Sequence, residues 1–454
     1  MRLLLVASII VATGFCAPRM EQAQSQTAFT HRQSSPKVPQ SRPKRRIAQA
    51  QPQPPPSILY HIETWAYDGG YEANKVPAND IARLVNYAEG SRKAVSDCKG
   101  RGCLSVRYFD SGVVYDGRGK CGSFNNDFMQ AASEDWFVHY SGYHDADHRI
   151  GNTFTAKCGD AIPKYVVNVN SPGVRAWYRS QLQKDDDYDA IFADDYFSDL
   201  PAYSGGWLCQ NPNPHKCGPG ELEEYREDQA VLKAKIGFAN AIVHRNGQPM
   251  KFVFNGGSRP LYKGVRGFIG TVCESCPFSN GGFNKRYAQI LDSMAEASRN
   301  AGFLLLFSYA YGDQVTNRTA TIATDWLGYT PGHLVVFENA RQTADRLNVW
   351  PEALLYPTRP IQSMRSGARD LQVAPTVYRR EFRACYYKKA PIGACAAIVN
   401  ASLGPVDISR DWLSQSYRHA ATLPAGDALS GDDVAMDGSI PQVLEPYSAV
   451  LLLR

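Results

Sequence analysis

The sequence predicts an α/β protein: a (β/α)8 barrel of the TIM type followed by a small antiparallel β-sandwich. Three observations support this class. Short apolar runs alternate with longer amphipathic stretches between residues 57 and 365, which is the pattern of βα units around a parallel sheet. The apolar runs number eight, the count that closes such a barrel. After about residue 360 the pattern changes to strands separated by turn residues.

The barrel elements are taken from apolar periodicity and turn signals. Most of the apolar runs end at a polar residue and are followed by a helical stretch. Residues 165–169 are apolar and β-branched, but their place in the sheet stays open. The strands are predicted at 58–63, 104–109, 136–139, 190–193, 252–254, 268–272, 303–307 and 334–337, and the helices at 80–95, 172–182, 222–244, 285–300 and 321–327.

The domain boundaries follow from these patterns. The barrel is predicted over 57–365 and the C-terminal β domain over 366–454, with strands at 376–382, 396–399 and 449–453. The only helix expected in this second domain lies around 411–416. The composition, with 44% hydrophobic and 20% charged residues, suits a globular protein with a large core.

The first 56 residues read as a leader and a spacer. Residues 1–17 are predicted to be an export signal, because Arg2 precedes an apolar run too short to span a bilayer. Lipidation of Cys16 is an alternative to cleavage after it. Residues 18–56 are rich in Gln, Pro, Ser and Arg and are predicted to be a disordered linker. The protein is therefore expected to be secreted, periplasmic or associated with the cell envelope.

Charge is unevenly distributed along the chain. The formal net charge is +5, but the linker holds seven Lys or Arg residues against one Glu, and Arg2 adds one more positive charge. The remaining residues therefore sum to −2, which gives the folded part no basic field and predicts no nucleic-acid partner. The basic cluster at 42–46 instead predicts contact with an anionic envelope surface, or a processing site.

Ten cysteines follow the leader in pairs that are close in sequence, which predicts disulfides in an oxidising compartment. Zinc is the alternative, since Cys273-x-x-Cys276 matches half of a zinc site. The pairs of neighbours are Cys98/Cys103, Cys121/Cys158, Cys209/Cys217, Cys273/Cys276 and Cys385/Cys395.

The strand at 190–193 is wholly apolar and runs directly into Asp194 and Asp195. Charged groups are rarely buried without partners, so this strand is expected to end at an open cleft. The carboxyl ends of barrel strands are where catalytic residues collect. The alternative is that the two aspartates only cap the following turn.

Other strand ends supply further polar and aromatic residues. Two carboxylates on opposite sides of a cleft are what glycosidic cleavage requires, and Glu274 is the predicted partner of Asp194. Aromatic rings near the strand ends are predicted to stack on sugar rings. The predicted catalytic residues are Asp194, Glu274 and Asp195. The predicted substrate-binding residues are Glu63, Trp65, Asp110, His139, Asn255, Tyr309, Tyr311 and Glu338.

Residues 189–195, Asp-Ala-Ile-Phe-Ala-Asp-Asp, together with residues 169–177, Val-Asn-Ser-Pro-Gly-Val-Arg-Ala-Trp, resemble a glycoside hydrolase barrel pattern. The pattern belongs to hypothetical glycosyl-hydrolase-like families and, more distantly, to endo-α-1,4-polygalactosaminidase and dextranase-type enzymes. The resemblance implies that Asp194 is the nucleophile and Glu274 the acid/base. Glu63 and Glu338 are the substitutes for Glu274. The C-terminal residues 446–453 are similar to the last strand of the β-sandwich that follows such barrels.

The stretch from His139 to His148 holds three His and two Asp residues, a composition that can bind a divalent metal. It is similar to the motif of zinc-dependent polysaccharide deacetylases, but the order of the His and Asp-Asp motifs is reversed. A polar loop lining the cleft is therefore preferred, and no metal or cofactor is predicted.

The sequence thus predicts a monomeric, exported glycoside hydrolase that acts on a polysaccharide or oligosaccharide with a pair of carboxylates. Two alternatives stay open. One is a non-catalytic carbohydrate-binding barrel at the cell surface, and the other is a metal-dependent polysaccharide-modifying hydrolase.

Overall fold

The computed structural model describes nineteen segments of the chain. They are residues 58–63, 87–89, 104–110, 112–118, 126–139, 143–155, 159–184, 188–194, 229–255, 264–274, 276–279, 282–300, 302–308, 315–329, 334–336, 338–339, 354–388, 390–424 and 433–454.

These segments form twenty-three strands, six α-helices and three short 3₁₀ turns. The helices are α1 (Asn126–Ala131), α2 (Pro172–Lys184), α3 (Gln229–Ala241), α4 (Tyr287–Arg299), α5 (Val315–Gly328) and α6 (Ala368–Leu371). The 3₁₀ turns are Glu134–Trp136, Ala146–His148 and Arg410–Trp412. The strands are β1 (Ile58–Glu63), β2 (Tyr87–Glu89), β3 (Leu104–Asp110), β4 (Val113–Tyr115), β5 (Gly151–Thr155), β6 (Ala161–Val166), β7 (Ala190–Asp194), β8 (Lys251–Asn255), β9 (Phe268–Glu274), β10 (Phe278–Ser279), β11 (Gly282–Phe283), β12 (Phe303–Ser308), β13 (Leu334–Val336), β14 (Glu338–Asn339), β15 (Leu355–Pro360), β16 (Gln372–Ala374), β17 (Val377–Tyr387), β18 (Ala390–Asn400), β19 (Val406–Asp407), β20 (His419–Thr422), β21 (Ala435–Gly438), β22 (Val443–Leu444) and β23 (Ser448–Leu453).

The predicted mixed α/β fold with a parallel sheet is confirmed. Nine strands lie side by side in the order β13-β1-β2-β3-β7-β8-β9-β12-β14, and each adjoining pair is parallel. The two outermost strands, β13 and β14, are neighbours in the chain. One pairs with β1 and the other with β12.

The apolar strands are buried on both faces because alternate side chains enter two different clusters. Ala190 and Phe192 of β7 pack with Val253 and Val272 on one face of the sheet. Their neighbours on the same strands point to the other face and contact helices α2 and α3. This second set includes Ile191, Ala193, Phe252 and Phe254 from the sheet, Tyr178, Leu182 and Phe238 from the helices, and Ile242 immediately after α3.

Two predicted elements in the first half of the chain are wrong. Residues 87–89 form strand β2 within the stretch predicted as the helix at 80–95. Residues 136–139 do not join the parallel sheet: Trp136 ends a 3₁₀ turn, and Phe137 and His139 make single antiparallel bridges. They lie beside a small antiparallel sheet in the order β4-β6-β5, which is inserted between β3 and β7 and includes part of the unplaced 165–169 stretch.

The C-terminal strands predicted at 376–382, 396–399 and 449–453 are confirmed within β17, β18 and β23. They belong to an antiparallel sheet in the order β15-β17-β18-β23-β20-β21, with β16 added beside β17. The helix expected around 411–416 is replaced by the 3₁₀ turn at Arg410–Trp412.

Helix α5 connects the two parts of the fold. Its buried residues Trp326 and Leu327 share one apolar cluster with Phe382 and Leu451 of the antiparallel sheet. Among the helices of the described segments, none is both long enough and apolar enough to cross a membrane.

Two of the predicted disulfides fall within described residues. Cys273 is bonded to Cys276, and Cys385 is bonded to Cys395 across β17 and β18, with Cα–Cα distances of 5.6 and 6.0 Å. The other three predicted pairs, Cys98/Cys103, Cys121/Cys158 and Cys209/Cys217, involve residues outside the described segments.

Candidate active site

Asp194 is the last residue of the buried strand β7, and two neighbouring strands supply its hydrogen bonds. The hydroxyl of Tyr108 on β3 donates to Oδ2 of Asp194 at 2.7 Å. The side-chain amide of Asn255, the last residue of β8, donates to Oδ1 at 2.8 Å. The structure therefore brings together two of the predicted site residues, Asp194 and Asn255, and adds Tyr108.

The position of Tyr108 follows from strand alternation. Val106 and Tyr108 pack on the same face of the sheet as Phe192, two residues before Asp194. The rings of Tyr108 and Phe192 lie 5.6 Å apart. A tyrosine two residues before the end of a strand can bury its ring in the apolar layer while its hydroxyl reaches the polar strand ends.

The two donors fix the orientation of the carboxyl group. Tyr108 and Asn255 each donate a hydrogen bond to a different oxygen of Asp194. Hydrogen bonds donated to a carboxylate stabilise its charged form. A partly buried, ionised carboxylate held in a fixed orientation can act as a nucleophile, as a general base or as a stabiliser of developing positive charge.

The parallel register shows which other residues share the strand ends. Asp110 is paired with Asp194, and Glu274 of β9 with Phe307 of β12. On the other side, Phe307 is paired with Glu338 of β14. Asp110 and Glu274 are thus the last residues of β3 and β9, and Glu338 is the first of the two residues of β14. The side chains of these three acidic residues lie outside what the structure describes.

Glu63 closes β1, and it is paired with Glu89 at the end of β2. Sequence reasoning missed Glu89 because the surrounding stretch carries the periodicity of a helix. The sequence signal that could have indicated Glu89 is the short run Tyr-Ala-Glu followed by Gly90. A glycine after such a run predicts a turn, and the carboxylate just before it would then end a short strand.

Asp189, immediately before β7, is a second aspartate that sequence reasoning did not single out. Its Oδ2 accepts hydrogen bonds from the backbone N–H and the hydroxyl of Ser105, at 3.0 and 2.8 Å. The backbone N–H of Asp189 in turn donates to the Ser105 hydroxyl at 2.9 Å. These bonds join the starts of β3 and β7, at the end opposite to Asp194.

His139 does not lie at the end of a parallel strand, contrary to expectation. It is 1% exposed, and its Nε2 is 2.9 Å from Oε1 of Glu134. Arg149 binds both oxygens of Glu134 and covers the ring of Phe137 at 3.8 Å. The predicted role of His139 in holding substrate has no support from this arrangement.

The rest of the histidine-rich stretch forms contacts within itself. Nδ1 of His148 is 2.6 Å from Oδ1 of Asp145, and the His148 ring stacks on Tyr143 at 3.7 Å. Within the described residues, no group of three or more His, Cys, Asp or Glu side chains is arranged to hold a metal ion.

Four predicted site residues lie outside the described segments, so their placement stays a prediction. They are Trp65, Asp195, Tyr309 and Tyr311.

No known protein family matches the sequence, and no curated protein does. Solved structures give distant likenesses. Aspergillus fumigatus Ega3 in complex with galactosamine is 14% identical, over 62% of this chain and 88% of that chain, with a TM-score of 0.33. The glycoside hydrolase domain of a Pseudomonas aeruginosa PelA variant is 12% identical, over 64% and 96%, with a TM-score of 0.36. Isomaltulose synthase from Klebsiella sp. LX3 is 9% identical, over 83% and 93%, with a TM-score of 0.40. Because these TM-scores are below 0.5, no residue role is transferred from them.

Proposed function

We propose that this protein is an exported glycoside hydrolase that cleaves a polysaccharide or oligosaccharide. The observation that carries the proposal is the arrangement of Tyr108, Asp194 and Asn255. Three adjacent parallel strands contribute one side chain each, and two donors hold one carboxyl group in a fixed orientation. Glycosidic cleavage requires such a carboxylate on one side of the scissile bond.

We further propose that the parallel sheet closes into the predicted barrel. The support is the pairing at the two ends of the strand order, where Leu334–Val336 pairs with β1 and Glu338–Asn339 with β12. Because these two segments are separated by one residue in the chain, a single broken strand joins both ends of the sheet. The strand ends that carry Asp194 and Glu274 then surround one opening.

In this proposal Asp194 attacks the anomeric carbon, or stabilises the positive charge that develops there. Glu274 donates a proton to the leaving glycosidic oxygen as its bond to the anomeric carbon breaks, and afterwards takes a proton from the attacking water. Asp195, Asp110 and Asn255 hold sugar hydroxyls, and Glu63 and Glu338 are the alternatives to Glu274. The resemblance of residues 189–195 to glycoside hydrolase barrels supports the first assignment.

Export is supported by the two disulfides, Cys273–Cys276 and Cys385–Cys395, since disulfides persist in oxidising compartments. The leader at 1–17 and the linker at 18–56, with its proposed contact to the cell envelope, lie outside the described residues and stay predictions. A monomer is likewise a prediction.

The proposal is tested by incubating the purified protein with a panel of α- and β-linked glycans, including α-1,4-linked galactosamine oligomers, and measuring the release of reducing ends. Turnover of at least one glycan is expected. Binding of a glycan by calorimetry, with no reducing-end release from any member of the panel, would instead support the non-catalytic binding protein. Activity that disappears with a chelator would support the metal-dependent hydrolase.

A further inference from the structure

The segment that follows β9 is held by a disulfide and by contacts between aromatic rings. Strand β9 ends at Glu274, and the Cys273–Cys276 disulfide spans this end of the strand. Cys276 is 1% exposed within the largest apolar cluster, and Cys273 packs against the same cluster. The residue proposed as the acid/base thus lies inside a four-residue covalent ring with a buried anchor.

The next residues form a two-stranded hairpin that extends this anchor. Phe278 of β10 is paired with Phe283 of β11, and their rings meet edge to face at 5.2 Å. The N–H of Asn284 donates to the carbonyl of Pro277 at 2.7 Å, which closes the base of the hairpin. Residues 276–279 and 282–283 thus continue the anchor that begins at the disulfide.

The hairpin is stacked on the C-terminal β domain. Phe283 lies parallel to Tyr447 at 4.9 Å and to Tyr287 of α4 at 5.2 Å. Tyr287 contacts Tyr378 of β17 at 5.4 Å, and its hydroxyl lies 2.7 Å from the Thr324 hydroxyl on α5.

Tyr447 carries an independent sign of constraint. Its φ is 56°, in the left-handed region that few residues other than glycine adopt. Such a conformation persists where the surroundings determine it, and it often marks a functional position. Here it places a tyrosine ring, at the turn before β23, on the hairpin that follows Glu274.

We propose that the C-terminal β domain positions Glu274 through the stack of Tyr447 on Phe283 and the Cys273–Cys276 disulfide. Phe283, Tyr447 and the two cysteines are thus positioning residues for general acid catalysis. This inference rests on the proposed function. It gives the second domain a role in the reaction itself, because the proton donor is fixed from outside the parallel sheet.

The test uses the dependence of kcat/KM on the leaving group, because kcat/KM reports only the step in which the leaving group departs. A glycoside with an activated aryl leaving group needs little proton donation, whereas an oligosaccharide needs it fully. The variants are Phe283→Leu, Tyr447→Asn and the double variant Cys273→Ala/Cys276→Ala. Asn is chosen at 447 because it tolerates a positive φ while removing the ring.

We expect each variant to lower kcat/KM on the oligosaccharide by about 10- to 100-fold, the cost of a proton donor displaced by about 1 Å. On the aryl glycoside kcat/KM, which reports only the first step, is expected to fall by less than about threefold. Glu274→Ala should show the same dependence on the leaving group, and more strongly. The matched control is Cys385→Ala/Cys395→Ala, which removes the other disulfide of the described residues. It should lower the free energy of unfolding, but its activity should not depend on the leaving group more than that of the wild type does.

Each variant is assayed at a temperature at which circular dichroism shows it to be folded. Equal losses of kcat/KM on both substrates in Phe283→Leu and Tyr447→Asn would overturn the positioning role, as would wild-type kcat/KM values in both. These two single variants keep the test decisive if the double cysteine variant does not fold. An inactive wild-type protein would instead count against the proposed function, so the two failures are distinguishable.

Discussion

The side-chain amide of Asn255 donates a 2.8 Å hydrogen bond to Oδ1 of Asp194, across the ends of two neighbouring parallel strands. Tyr108 binds the other oxygen from the strand on the opposite side. The carboxylate of Asp194 is therefore fixed in rotation by residues on both flanking strands. Phe192, two residues earlier on the same strand, belongs to the apolar layer of the sheet.

Replacement of Tyr108 by Phe removes one of these donors and keeps the buried ring. Without this donor the Asp194 carboxyl group is less firmly oriented, so we expect kcat/KM to fall by roughly 10- to 100-fold. The free energy of unfolding should fall by no more than about 1.5–3 kcal/mol, the contribution of the lost hydrogen bond, because the ring still packs near Phe192. Steady-state kinetics and calorimetry check the two halves of this prediction. Full activity in Tyr108→Phe would show that the hydroxyl does not prepare Asp194 for the reaction.

Asp189 and Asp194 lie at opposite ends of the same strand and are expected to differ in role. Asp189→Ala leaves the backbone N–H and the hydroxyl of Ser105 without their acceptor, at a cost of about 1–3 kcal/mol in the free energy of unfolding. The folded fraction should keep its kcat. Urea denaturation and kinetics on the same sample separate the two effects, and a loss of kcat without a loss of stability would reverse the assignment.

Arg380 is expected to be a main link between helix α5 and the antiparallel sheet. It is 3% exposed, and its Nη1 donates to the carbonyls of Leu327 and Tyr329, at 2.7 Å each. Burial lowers the pKa of Arg380 to about 10, so the guanidinium stays charged at neutral pH and complements the C-terminus of the helix.

Arg380→Ala should therefore lower the free energy of unfolding by about 3 kcal/mol, since two carbonyls lose a charged donor. Arg383→Ala, on the same strand but exposed, is the matched control and should change it by less than about 0.5 kcal/mol. Chemical denaturation measures both. Similar effects in the two variants would argue against a specific link at Arg380.

Asp325 predicts a dependence of stability on pH. It lies on α5 with 4% exposure, and burial raises its pKa well above the usual value of 3.8. The folded state thus binds this proton more tightly than the unfolded state does. Its contribution to stability is fully present below about pH 3.8, and it is lost as the pH rises toward the raised folded-state pKa.

Asp325→Asn cannot ionise, so it should be more stable than the wild type at pH 8 and differ little from it at pH 4. The measurement is the urea midpoint at both pH values, with the exposed Asp411→Asn as control. A pH dependence identical to that of the wild type would show that Asp325 does not contribute to it.

Much of the parallel sheet was predictable because its strands are short and apolar throughout. Strand β7 is the clearest case, since Ala190–Ala193 carries no polar residue to allow another interpretation. Strand β2 was not predictable, because residues 80–95 place apolar side chains at helical spacing. Pairing with β1 and β3 on both sides overrides that local preference at Tyr87–Glu89.

The candidate site was predictable where a polar residue ends an apolar strand, as at Asp194 and Asn255. It was not predictable where a contact depends on side-chain alternation between strands, as for Tyr108. His139 shows the opposite error. A histidine after an apolar run suggests the end of a parallel strand, but His139 makes an antiparallel bridge to Arg149 and is buried beside Glu134.

The most direct test of the central claim is reducing-end release by Asp194→Asn on a glycan that the wild-type protein cleaves. Asn keeps the size of the side chain and removes the charge, while Asp407→Asn, exposed on the C-terminal domain, controls for loss of one carboxylate elsewhere. The account predicts that Asp194→Asn folds like the wild type and loses kcat by at least about 1000-fold, while Asp407→Asn keeps full activity. Wild-type turnover in a folded Asp194→Asn protein would contradict it.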